Sequence, residues 1–238
     1  MLEAIRRGAG RRAPAYAMVT AVLFTAPLEE SRRQPSGLTL AGVIGHWSDT
    51  TLGTPAIVVN GERWSGETPA ADLRRWSERL FGRVSDAFVR NGSAAGAFPI
   101  AVAAGAGRFS SGMLRVQFNL LGGASDQIAG LMFGLDANGD YFYVRYNTRD
   151  GNLAVWRVRD GQREVLQHGE VHRQLPLGVW HELVVRVRGR DVAAHVAGDP
   201  TIAVAHRLDR EPEGRVGVQV KRDAITAFRG FSASPSLP

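Results

Sequence analysis

Between Gly130 and Gly169 the chain reverses three times, at Asn138-Gly139, at Arg149-Asp150-Gly151 and at Asp160-Gly161. Tight hairpins need backbone positions with positive φ, which Gly, Asn and Asp adopt at low cost, so each reversal marks a β-hairpin. A hairpin turn fixes register, and register decides which face of the sheet each side chain takes, because successive residues point to opposite sides. A two-residue loop at Asn138-Gly139 sets Leu135 opposite Phe142, Phe133 opposite Val144 and Leu131 opposite Tyr146. A four-residue loop from Thr148 to Gly151 sets Val144 opposite Val155 and Tyr146 opposite Leu153. One face is then a wall of apolar side chains. The other carries Tyr141, Tyr143, Arg145, Asn147 and Trp156, with Trp156 across from Tyr143, Val165 beyond it, and Gly130 and Gly134 alongside.

The same sorting recurs from Trp180 to Ala197, turning at Gly189-Arg190. There Leu183, Val185 and Val187 oppose Val196, Ala194 and Val192, while Trp180, Glu182, Val184, Arg186 and His195 point the other way. From Phe98 to Ser232 the text is short strands at regular spacing with turn residues between them, and Ala56–Asn60 adds one before Asn60-Gly61. Such spacing indicates two antiparallel sheets stacked apolar face to apolar face, an all-β sandwich. One stretch breaks the pattern. From Pro69 to Phe88, Leu73, Trp76, Leu80, Phe81, Val84 and Phe88 recur at intervals of three and four, so a short helical segment, broken near Gly82, is predicted over residues 69–88.

The first 34 residues read differently. Arg6, Arg7, Arg11 and Arg12 precede a short apolar run from Ala13 to Ala26, the order of a signal or targeting segment, and the run is too short to span a bilayer. An exported bacterial protein is expected, periplasmic or extracellular, with no membrane span once the leader is removed. Residues 35–55, rich in Pro, Gly and Ser, read as a linker, and 56–238 as one β-rich domain. At 238 residues with 44% hydrophobic content the chain can bury a substantial core. Its formal charge of +6 comes almost wholly from arginines dispersed along the chain, Lys221 being the only lysine, and a dispersed charge argues against nucleic acid as partner. The absence of cysteine excludes disulfides, thiolate metal sites and a cysteine nucleophile.

Three longer runs carry a resemblance: DQIAGLMFGLDANGDYFYVRYNTRDGNLAVWRVRDGQREVL, LPLGVWHELVVRVRGRDVAAHVAG and GRVGVQVKRDAITAFRGF. Together they resemble the concanavalin A-like β-sandwiches of laminin-G type, and most of all the bacterial 3-keto-disaccharide hydrolase domain family. The matching positions are Gly130, Asp136, Asn138, Tyr143, Arg145, Trp180, Gly214, Val216, Gly217, Phe228 and Phe231. The resemblance covers residues 97–232 and implies a jelly-roll sandwich; the scaffold hosts lectins, glycosidases and protein-binding modules alike, so it implies no single activity. The Glu-x-Asp-x-x-Glu strand of related family-16 glycoside hydrolases is absent, and no catalytic residue is carried over.

The face bearing Tyr141, Tyr143, Arg145, Asn147 and Trp156 suits a carbohydrate ligand, since rings stack on pyranose faces while arginine and asparagine bond hydroxyls. The competing reading packs this face under the helix as partial core. Glu182 and His195 lie diagonally across one hairpin and, with Asp126 and Asp223, are the weak candidates for acid–base catalysis, for which two titratable groups must converge on the groove. Asp136, Asn138 and Asp140 offer oxygens at calcium-loop spacing, although the hairpin turn accounts for Asn138-Gly139 by itself. His168 and His172 stand four apart, but in text that reads as edge strand or loop, so no zinc site is assigned. Beyond calcium no cofactor is expected. The alternative to sugar binding is a non-catalytic module that recognises a protein partner in the cell envelope.

Overall fold

The computed structural model describes residues 37–93, 98–221 and 223–235, and the basic start read as an export signal lies outside them. Alternating apolar and polar residues fold as the hairpin signals require, into two seven-stranded antiparallel sheets. Strands are numbered in chain order. The first sheet runs β1 (Leu40–Ile44), β4 (Ile100–Ala103), β13 (Arg215–Gln219), β6 (Ile128–Leu135), β7 (Tyr141–Asn147), β8 (Asn152–Arg159) and β9 (Gln162–His168). The second runs β12 (Asp199–Arg207), β11 (Asp191–Val196), β10 (Trp180–Arg188), β5 (Gly112–Gly122), β14 (Ile225–Pro235), β3 (Pro55–Asn60) and β2 (Trp47–Thr51). The result is the expected all-β jelly-roll sandwich. Phe133, Phe142, Val144, Tyr146, Leu153 and Val155 of the first sheet face Leu114, Val116, Phe118, Leu183, Val185 and Phe228 of the second in one continuous core. Each such side chain contributes roughly 1.5–3 kcal/mol of apolar burial. The buried Tyr146 hydroxyl is also satisfied: it donates to Arg173 O at 2.6 Å and accepts from Leu175 N at 2.8 Å, pinning the segment between β9 and β10.

The assigned pairings hold for β7–β8 (Tyr143–Trp156, Val144–Val155, Tyr146–Leu153), for Trp156–Val165, and for β10–β11 (Leu183–Val196, Val185–Ala194, Val187–Val192). The β6–β7 register differs. Leu131 pairs with Val144 and Phe133 with Phe142, two residues from the expected alignment. Two separate one-residue steps make up that slip. The loop holds three residues rather than two, closed by Asp136 N donating to Asp140 O and Gly139 N donating to Asp136 O. Beyond it, Gly134 takes φ +70° and bulges out of β6. Two odd steps restore the parity beyond Gly134, so Leu131 and Phe133 keep their assigned inner face, whereas Leu135, between the two steps, turns to the outer face with Tyr141 and packs under the helices.

Two further differences concern the chain before residue 94. The stretch read as linker contributes β1 and β2, which pair with β4 and β3 as the edge strands of the first and second sheet. The helical segment breaks at Gly82, as expected, into two helices, α1 (Ala70–Phe81) and α2 (Asp86–Ser93), the second running past the expected end. Gly82, at φ +72°, ends α1 by donating its N–H to Glu78 O at 2.8 Å, the left-handed stop that glycine makes cheaply. Val84, assigned to the buried stripe, sits in the connection between the helices and is 41% exposed. Leu73, Leu80, Phe88 and Val89 pack on Val43, Ile44, Ile100, Val102, Met132, Leu135, Tyr141, Tyr143 and Val158, so the helices cover part of the outer face of the first sheet. Arg215 fastens α1 there, its Nε donating to Leu80 O at 3.0 Å.

Candidate functional site

Strand pairing arranges the outer face of the first sheet in rows. One row crosses five strands as Gly217, Met132, Tyr143, Trp156 and Val165. The next crosses as Gln219, Gly130, Arg145, Ala154 and His168, and a third holds Ile128, Asn147 and Asn152. The helices divide this face. Tyr141 and Tyr143 are part of the cluster beneath them, whereas Arg145, Asn147 and Asn152 form a polar strip outside that cluster. The reading of this face as partial core under the helices therefore holds for the half that carries Tyr141 and Tyr143. The space at Gly130 is also used: a Cβ there would lie 2.8 Å from Gln219 O and 3.0 Å from its Oε1, so the glycine admits Gln219.

The rings and cations stand close together. Tyr143 and Trp156 stack with centroids 6.1 Å apart and planes 12° apart, and Tyr141 leans on Tyr143 at 5.8 Å. Arg145 lies 5.2 Å and Arg163 4.8 Å from the Trp156 ring centre, Arg163 also reaching Phe98 at 5.0 Å, while His168 meets Trp156 edge-on. Asp150, at the hairpin tip, accepts from Arg145 Nη2 and from Asn147 Nδ2 on the same carboxylate oxygen, each at 3.0 Å. Burial pushes the Tyr143 hydroxyl up to about 12, opposed by Arg163 and Arg145, and drives Tyr141 well above its ordinary value, with Tyr143 adding to the effect. Both phenols are neutral groups that bear no charge near pH 7.

The strip is incompletely hydrogen-bonded. Arg145 is only 6% exposed, yet its Nε and Nη1 have no hydrogen-bond partner among the described residues. The same holds for Asn152 Oδ1, Trp156 Nε1 and Gln219 Oε1. Buried polar atoms are nearly always paired, because each unpaired one costs about 1–3 kcal/mol. Donors and acceptors left open along one strip of the sheet are what a ligand bearing several hydroxyls would complete. Asp150, Arg163 and His168 form an exposed rim. Of these groups, Asn152, Gln219, Arg163, His168 and Asp150 were not among the sequence candidates. Asn152 was legible, since the β7–β8 register places it opposite Asn147. Gln219 was not, since it arrives through a pairing far apart in sequence.

The other candidates lie elsewhere. Glu182 and His195 are on the second sheet, where Glu182 faces Arg115 at 3.6 Å and burial, aided by the Arg115 charge, lowers the His195 pKa. Asp126 and Asp223 come together at a loop: Asp223 accepts from the Ser125 and Asp126 amides, which hold its carboxyl below the usual range despite burial, and Asp126 pairs with Lys221 at 2.6 Å. Asp136 Oδ1 accepts from Asn138 N and Asp140 N, and Asp140 Oδ1 from Asp160 N, so these oxygens serve the turns. Burial raises the Asp140 pKa. Among the described residues no three His, Cys, Asp or Glu side chains are grouped to hold a metal ion, and no helix is long and apolar enough to cross a membrane.

No protein-family model and no curated protein matches the sequence. Solved structures do match by fold. The carbohydrate binding module CBM66 from Bacillus subtilis superposes with a TM-score of 0.57 at 12% identity, covering 84% of this chain and 97% of that one. A Bacillus licheniformis β-glucanase (TM-score 0.43, 8% identity, 59% of this chain and 71% of that one) and the Caenorhabditis elegans galectin LEC-6 (0.38, 10%, 52% and 84%) also match. At these identities the likeness is one of fold.

Proposed function

We propose that this domain binds a carbohydrate on the outer face of its first sheet, with Trp156 at the centre, Arg145, Asn147, Asn152 and Gln219 as the floor, and Asp150, Arg163 and His168 as the rim. The observation that carries the reading is the set of buried, unpartnered donors and acceptors along one strip of the sheet, with Arg145 beside the Trp156 ring. Fold likeness to a carbohydrate binding module along 84% of the chain supports it. Tyr141 and Tyr143, packed beneath the helices, support the ring from behind. Export remains part of the proposal, consistent with the basic and apolar start of the chain.

Binding is preferred to hydrolysis. The finer resemblance, to 3-keto-disaccharide hydrolases, would need an acid and a base converging here, but Glu182 and His195 belong to the other sheet and Asp150 is engaged by Arg145 and Asn147. The test is a glycan array followed by calorimetry on the purified protein. Trp156→Ala should abolish binding while circular dichroism still reports a β fold. A variant that binds unchanged overturns the site. A second reading, a protein-binding module, is favoured by Leu121, Leu177 and Val179, exposed apolar side chains near the point where Gly178 N bonds Leu120 O. Sugar binding that survives Leu177→Asp and Val179→Asp, with no change in molecular mass by light scattering, removes that reading.

A further inference from the structure

Resting on the carbohydrate reading, we propose that the ligand is an acidic sugar, one whose carboxylate or sulfate lies against Arg145 and Arg163. Two guanidiniums face the Trp156 ring, at 5.2 and 4.8 Å, and the side chains described on this strip include one carboxylate, Asp150, to balance them. That carboxylate is shared. One of its oxygens already takes both Arg145 Nη2 and Asn147 Nδ2, and its side chain is 46% exposed, so solvent weakens its hold on the guanidinium. Arg163 forms no ion pair among the described residues and lies over the rings of Phe98 and Trp156 beside the Tyr143 hydroxyl. Arginine keeps its charge at any physiological pH, so the strip holds a positive excess that protonation cannot remove.

The donors left open on Arg145 have the same sense. Nε and Nη1 point at nothing among the described residues, and guanidinium N–H groups recognise oxyanions better than they recognise hydroxyls. Asn152 Oδ1 and Gln219 Oε1, both acceptors without partners among the described residues, lie at opposite sides of Arg145 along the strip and suit hydroxyls of different sugar units of an oligosaccharide. Arg163 lies over the ring a pyranose would stack on. Sugar entry therefore exchanges the guanidinium for the pyranose on that ring and frees Arg163 for the anionic group. A neutral sugar would displace Arg163 and offer it nothing in return.

Calorimetry on the full chain with three probes tests this: oligogalacturonate, a sulfated galactan oligosaccharide and a neutral gluco-oligosaccharide. At least one acidic probe should bind about tenfold or more tightly than the neutral one, with affinity falling as salt rises. Arg163→Gln should remove that preference, and Arg163→Lys should retain part of it. Which acidic probe binds identifies the anion. Equal binding of neutral and acidic probes, lost in Trp156→Ala but unmoved by Arg163→Gln, overturns the acidic ligand and leaves the sugar site standing. No binding by any probe or on the array overturns both.

Discussion

Replacing Arg145 by methionine should make the fold more stable while destroying the site. The wild-type guanidinium is 6% exposed and leaves Nε and Nη1 unpaired, a cost of about 1–3 kcal/mol for each buried unsatisfied group. Against this, Arg145 gains its bond to the half-exposed Asp150, worth about 0–1 kcal/mol, and its position over Trp156, worth about 0.5–2 kcal/mol. Methionine follows the same path with an unbranched, adaptable chain, removes both orphan donors and needs no partner. Asp150 keeps its bond from Asn147 and its access to water. Taken at mid-range the difference is about 2 kcal/mol in favour of the variant, or roughly 4–8 °C in Tm for a domain of this size. Differential scanning calorimetry on wild type and Arg145→Met measures it, and the sugar titration on the same samples measures the loss of binding. A variant that melts several degrees lower would refute the argument, because Arg145 would then be holding the strip together.

Tyr143, with its hydroxyl pushed up to about 12, makes the fold sensitive to alkali. Unfolded tyrosine ionises near pH 10 and the folded one near 12, so its stability contribution is intact below pH 10 and falls by roughly 2–3 kcal/mol as pH rises to 12. Tyr143→Phe should flatten that part of the decline in denaturant midpoints; an unchanged slope refutes the assignment. Gly134→Ala puts a side chain at φ +70°, with Pro212 Cβ 3.0 Å away, and should cost about 1–3 kcal/mol in urea unfolding, whereas a neutral result means β6 does not need its bulge. Leu73→Ala removes a fully buried anchor of α1, and should lower stability by about 2–5 kcal/mol without changing sugar affinity at a temperature where the protein remains folded. A change in affinity instead would make the helices part of the site.

The parts of this fold that could be read from the sequence are those governed by neighbours along the chain. The β7–β8 and β10–β11 alignments followed from their turns because a short loop leaves few ways to pair. The β6–β7 alignment missed by two for local reasons as well, a third loop residue and a glycine bulge, neither of which hydrophobic alternation reveals. Strands β1 and β2 escaped notice because each is five residues long and they lie among glycines, with Gly45, at φ +103°, turning between them. Whether Tyr141 and Tyr143 faced a ligand or a helix was not decidable from either segment alone. Both have the same alternation in either case.

This limit applies with most force at the site itself. Arg145, Asn147, Asn152 and Trp156 come from one hairpin, and their common face is a local consequence of Asp150-Gly151. Gln219 reaches the same row only because β13 pairs with β6, across more than eighty residues of sequence. Gly130 is the residue that makes the two sources meet, since any side chain there would strike the Gln219 backbone and amide. The space beside Gly130 is thus filled by the Gln219 amide. Gly130→Ala should therefore disturb Gln219 Oε1 and weaken sugar binding through that displacement, and Gln219→Ala in the same background should add little further loss. Full additivity of the two losses by calorimetry would mean that the glycine acts on the site by some other route.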